Sequence, residues 1–121
     1  MRTMLAVFST GIGVLIAAVP LGAHHSFAAE FDLTKTVSLK GTVTKIELMN
    51  PHTYLYMDVK DETTGKAASW AVELGSSNWL ARHGWTRNST KVGDVLTVDG
   101  ARAKDGSRVL HTNLVPHQPG P

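Results

Sequence analysis

Six histidines are the chain's most reactive side chains, and their placement decides which chemistry is open to them. His24 and His25 are adjacent and follow Pro20-Leu21-Gly22-Ala23, where a helix breaker precedes two small residues. A cut after Ala23 would make His24 an N-terminal residue. Its α-amine and imidazole Nδ1 would then close one chelate ring on a metal ion. A further imidazole from elsewhere would complete a nitrogen-rich, planar arrangement, which suits Cu(II) or Ni(II). A cut after Gly22 would leave Ala23-His24-His25, with histidine third. The amine, two backbone amides and the imidazole then form a copper chelate as well. The plainer alternative is that two polar residues keep the processing point soluble.

His52 is the best remote ligand. It sits in the turn Asn50-Pro51-His52, where Pro51 restricts the preceding residue and two strands hold the turn rigid. Its competing role is turn chemistry, the ring bonding a backbone group while Asn50 caps the bend. Met49 and Met57 are near in sequence, and thioethers favour Cu(I). Met57 alternates with Leu55 and Val59, however, so core packing is expected of it. The other three histidines are weaker candidates: His83 ends a short helix, His111 alternates with Val109 as a surface residue, and His117 lies in the tail. No histidine pair has the spacing of a zinc enzyme. A cofactor is therefore expected only as a transition metal, copper first, on His24, His25 and His52.

A second kind of site is aromatic. Tyr54 and Tyr56 share the strand face opposite Leu55 and Met57, where exposed rings could stack on a glycan or an envelope protein. Trp70 and Trp79 are expected to fill the interior. No catalytic apparatus is legible. Ser26 lies near two histidines, but a triad is defined by geometry, and Glu30, Asp32, Asp58 and Glu73 show no readable pairing. The chain reads as a binding protein and not as an enzyme.

The elements that must position these residues begin with an export segment. Arg2 precedes Met4 to Val19, a mostly apolar run without charge, and then Pro20 to Ala23. That order is the secretory pattern. The run falls short of the ~20 residues of a bilayer span, so no stable span is expected after processing. Residues 1–23 are read as a signal peptide, and the protein as periplasmic or extracellular. The remaining 98 of 121 residues carry 11 basic against 10 acidic side chains, scattered singly, which argues against nucleic acid as a partner. There is no cysteine, so disulfides and thiolate chemistry are excluded.

Residues 24–35 read as a lead-in whose Phe27, Phe31 and Leu33 dock on a barrel spanning 36–115. Within the barrel, Val37, Leu39, Gly41 and Val43 alternate. The phase then slips to Ile46 and Leu48, which predicts a β-bulge. Further strands are expected at Tyr54 to Val59, Ser69 to Leu74, Val95 to Arg102 and Arg108 to Val115, with a short helix over Asn78 to His83. Residues 116–121, with three prolines and a glycine, read as a loose tail. Five strands, a long bent first one and a helix between the third and fourth describe an all-β, OB-type Greek-key barrel, with a small β-sandwich as the alternative.

The run His24-His25-Ser26-Phe27-Ala28-Ala29-Glu30-Phe31-Asp32 resembles the mature start of a family of short exported bacterial proteins of unknown function. So do Lys40-Gly41-Thr42-Val43, Asn50-Pro51-His52 with Tyr54, Trp70 with Glu73, Gly84-Trp85-Thr86 and Gly93-Asp94. Leu48-Met49 departs from the pattern, in which a tryptophan precedes the methionine. The resemblance implies an envelope location and an OB-like fold, and supplies no activity.

Overall fold

The computed structural model describes residues 26–119. In chain order the elements are α1 (Ser26–Glu30), β1 (Phe31–Glu47), β2 (Tyr54–Lys60), β3 (Ala67–Glu73), α2 (Ser77–Arg82), β4 (Val95–Ala103) and β5 (Val109–His111). The strands close into a barrel in the order β1-β2-β3-β5-β4. Every neighbouring pair is antiparallel except β3 and β5, which run parallel. This is the OB-type Greek-key arrangement, with a helix between the third and fourth strands. A closed sheet leaves no edge to template association, which suits a small chain.

β1 does the work of two strands. Its first half, Thr36 to Thr42, pairs with β4, and its second half, Gly41 to Glu47, pairs with β2. The register with β2 slips between Val43 and Lys45, where the apolar phase changes in the sequence. Gly41 lies at the bend. A Cβ there would come within 2.8 Å of the Asp58 carbonyl oxygen, so only a glycine lets the two strands approach.

The interior is built from alternate residues of each strand: Val43, Leu55, Met57, Val72, Leu96, Val98 and Leu110 are buried. α2 seals one end. The Ser76 hydroxyl accepts a hydrogen bond from the Trp79 amide at 3.1 Å, which caps the helix and points Leu80 inward beside Leu74. Gly84 turns the chain with φ of +82°, and the ring delivered to the core is Trp85. Trp70 and Trp79, expected inside, are only half-buried. Trp79 falls beside the helix's inward face, and the Arg102 guanidinium lies over the Trp70 ring, 5.3 Å away.

Both ends of the described segment engage the barrel more fully than expected. Strand pairing already starts in the lead-in, with Phe31 opposite Ala103, and the Phe31 side chain is buried while Leu33 is exposed. The Phe27 side chain lies outside the described ones. The tail is not wholly loose, because residue 117 bridges β4. The Thr97 amide donates to the His117 carbonyl at 2.8 Å, and the return bond is 3.1 Å. Pro116 before it is buried. The last strand stops at His111, because Asn113 and Leu114 turn away instead of continuing to Val115.

Candidate functional site

The turn carrying His52 is fastened on both sides. Thr53 is fully buried; its amide donates to the Gly75 carbonyl and its carbonyl accepts from the Leu74 amide. The Ser77 amide donates to the Met49 carbonyl, and the Ser77 hydroxyl reaches the Asn50 side chain at 3.2 Å. The turn is thereby locked to the start of α2 and the end of β3. The Asn50–Pro51 peptide bond is cis.

His52 Nδ1 lies 3.1 Å from Oε1 of Glu73, the last residue of β3. Strand alternation turns Glu73 away from the core, between Val72 and Leu74 which face it. Its register neighbours are Tyr54 on β2 and His111 on β5, so the three side chains form a row across the outer face of the sheet. The N-terminal segment covers one end of that row. The Phe31 ring stands 5.3 Å from the His111 ring. This roof explains why His111, expected at the surface, is buried. Glu73 is buried too, at 8 % exposure.

The electrostatics follow from that burial. Burial pushes the Glu73 carboxyl above its ordinary value, the His52 charge opposes the shift, and Glu30 on α1 adds to it. Burial holds His111 below its ordinary value, and the nearby His52 charge acts in the same direction. The Tyr54 phenol is raised first by burial, then by the charges of Glu73, Tyr56 and Glu30. Glu30 thus belongs electrostatically to the same cluster, which places the end of α1 beside it.

His52 and His111 line one cleft of about 240 Å³, together with Pro51, Gly75, Trp79 and Asn113. Gly75 packs closely there, where a Cβ would sit 3.0 Å from the Trp79 ring. Ser76 also borders the cleft, but its hydroxyl already caps α2. The cleft therefore offers two imidazoles, one of them steadied by a buried carboxylate. A histidine whose ring is oriented by a carboxylate is the usual support of a metal ligand. Among the described residues no three of His, Asp and Glu are placed to hold a metal ion by themselves.

Of the residues singled out from the sequence, His52 and Tyr54 meet at this cluster. Tyr56 is two positions along, half-buried, with the Lys45 ammonium 5.6 Å above its ring. Met57 is in the core and Met49 is exposed. His83 is engaged elsewhere, stacked on Trp79 at 3.9 Å with Nδ1 2.8 Å from that residue's carbonyl. His117 pairs with Asp99. Residues 1–23, read from the sequence as a signal peptide, lie outside the described residues, as do His24 and His25.

Glu73 and His111 were not picked out as site residues. A charged residue set between Val72 and Leu74 was the available signal for Glu73. For His111 the signal was weaker, because its burial depends on a roof brought from the other end of the chain.

The model of a family of unknown function (DUF6152) matches residues 12–111. The chain belongs to that family. The DUF6152 span takes in His24, His25, His52, Glu73 and His111, and it ends on the last of these. No curated protein matches the chain. Among the described residues, no helix is long and apolar enough to cross a membrane.

Proposed function

We propose that this protein is an exported, non-enzymatic binding protein of the cell envelope that holds a transition metal, copper foremost. The ion is bound by the mature N-terminus at His24 and His25 together with His52. The observation that carries the reading is the 3.1 Å contact between His52 Nδ1 and buried Glu73 at the edge of a cleft. The charge of Glu30 acting on Glu73 and Tyr54 supports it further, because the segment that follows His24-His25 in sequence ends beside the same cluster.

The test is a Cu(II) titration of the protein beginning at His24, beside the same protein with its α-amine acetylated. Acetylation removes the amine from the chelate, and affinity falls by an order of magnitude or more. His52→Ala weakens the first protein and leaves the acetylated one nearly unchanged. Equal affinity in both versions would end the N-terminal chelate. The half-buried Tyr54 and Tyr56 face would then become the leading site, for a glycan or envelope protein, with binding lost on Tyr56→Ala.

A further inference from the structure

We propose that the end of the barrel away from α2 is a separate binding site for a small carboxylate with an apolar body, held by Arg102 and Arg108 beside the Trp70 ring. This site is independent of the metal-binding reading.

Side chains alternate along a strand, so Ala68, Trp70 and Val72 form the core-facing row of β3. Burial falls along that row: Val72 is sealed from solvent, whereas Trp70 and Ala68 are half-buried. β2 repeats the pattern, with Met57 buried opposite Trp70 and Val59 half-buried opposite Ala68. The interior that α2 seals at one end is therefore partly open at the other. A cavity of about 380 Å³ lies there, bordered by Leu39, Val59, Ala68 and Trp70.

The same alternation puts two arginines at core-facing positions. On β4 the inward row is Leu96, Val98, Gly100 and Arg102, and Arg102 pairs with the buried Leu110. Arg108 stands two residues before Leu110, and its carbonyl accepts from the Ala71 amide at 3.0 Å, so strand pairing extends to it. Both side chains line the cavity, at positions where a sealed barrel would carry apolar ones. The Arg102 guanidinium lies 5.3 Å from the Trp70 ring and donates to the Gly106 carbonyl at 3.2 Å. That bond holds the group in place and leaves most of its five N–H donors for a ligand.

The charges around the cavity favour a monoanion. Among the described residues neither Arg102 nor Arg108 forms a salt bridge. Lys60 adds a third cation, and the facing carboxylates are Asp61 and Glu62, so three positive charges meet two negative ones. Asp61 is turned back on its own turn, accepting from the Thr63 and Thr64 amides at 2.8 and 3.0 Å. A carboxylate matches a guanidinium through two parallel hydrogen bonds. The apolar walls then require a hydrocarbon body attached to it.

The experiment uses the metal-free protein beginning at His24 and follows its amide and arginine Nε–H resonances by NMR as octanoate is added. Saturable shifts are expected at Ala68, Trp70 and both arginine side chains, with a dissociation constant of about 1 mM. Acetate, which lacks the body, should bind at least about tenfold more weakly. Octanol, which lacks the charge, should shift the same resonances less at equal concentration. Arg102→Met and Arg108→Met keep an apolar stem and remove the charge, and each should weaken octanoate binding by about tenfold. Shifts that do not saturate, shifts confined to another part of the barrel, or octanol matching octanoate would overturn the site. Unchanged octanoate affinity in both variants would overturn it as well, leaving the arginines as covers of the core. The resonance map of the unaltered protein decides the matter even if a variant fails to fold.

Discussion

Glu73 and His111 occupy paired positions on β3 and β5, and both are buried on the side of the sheet that faces away from the core. A carboxylate and an imidazole in such a place are costly unless they are partnered, and the His52 ring supplies one partner to Glu73. The polar row is thus a feature of the outer face, assembled from three strands, one turn and the roof formed by Phe31.

Glu73→Gln isolates the carboxylate's part in that row. The amide keeps the volume and a hydrogen-bond acceptor, so the barrel stays folded, as circular dichroism would verify. Its loss of charge weakens its hold on the His52 ring. Cu(II) affinity is expected to fall by roughly 10–100-fold, the range for losing the carboxylate that orients a ligating histidine. Glu73→Gln with unaltered affinity would mean that the ring is oriented without it.

The parts of this fold written in local periodicity were legible, and the parts that depend on remote segments were not. The slip in apolar phase before Ile46 and the short helix over Asn78 to His83 announce themselves within a few residues, and each has its counterpart in the structure. His52 was legible because Pro51 and the flanking strands mark it locally. His111 looked like a surface residue because alternation assigns it correctly to the outer face. Alternation cannot report that Phe31, eighty positions earlier, covers that face. Trp79, expected inside, is half-buried while Trp85 enters the core, for a similar reason. Which tryptophan enters the core is decided by where Gly84 turns the chain, not by the helix period.

Gly100→Ala tests whether the position of β5 matters to the cleft. The added methyl would overlap the carbonyl oxygen of His111, a backbone atom that cannot rotate aside. β5 must move instead, carrying His111 with it. Unfolding by urea should show a loss of about 1–3 kcal/mol, the usual cost of overpacking. Cu(II) affinity should drop in the same variant. A drop in stability without any change in affinity would separate β5 from the site.

Ser76→Ala removes the oxygen that caps α2, leaving the Trp79 amide without its 3.1 Å acceptor. Chemical denaturation is expected to register a loss of about 1 kcal/mol. Ser76→Asp retains an acceptor at the cap and should recover most of it. Because Trp79 borders the cleft, its fluorescence should shift in the alanine variant and return in the aspartate one. Equal stability of all three proteins would show that the backbone alone fixes the helix start.

The clasp between His117 and β4 should depend on pH with a definite sign. His117 titrates above its ordinary 6.5, raised first by the Gln118 carbonyl and then by Asp99 at 3.2 Å. A histidine with a raised folded value contributes stability fully below 6.5, and loses it as pH climbs through that raised value. Asp99 titrates below its ordinary 3.8, lowered first by the Ser38 hydroxyl and then by His117. Its contribution is present above 3.8 and disappears as pH falls through the lowered value. The clasp is therefore tightest between those two ordinary values. Hydrogen exchange of the Thr97 amide, which donates to the His117 carbonyl, reads it directly. After correction for the intrinsic rate, protection of that amide should decrease from about pH 6 to about pH 8, around the ordinary histidine range. In His117→Ala it should be low and flat across the same interval. A pH-independent protection factor in the unaltered protein would mean that the backbone bridge holds the tail without help from the ring.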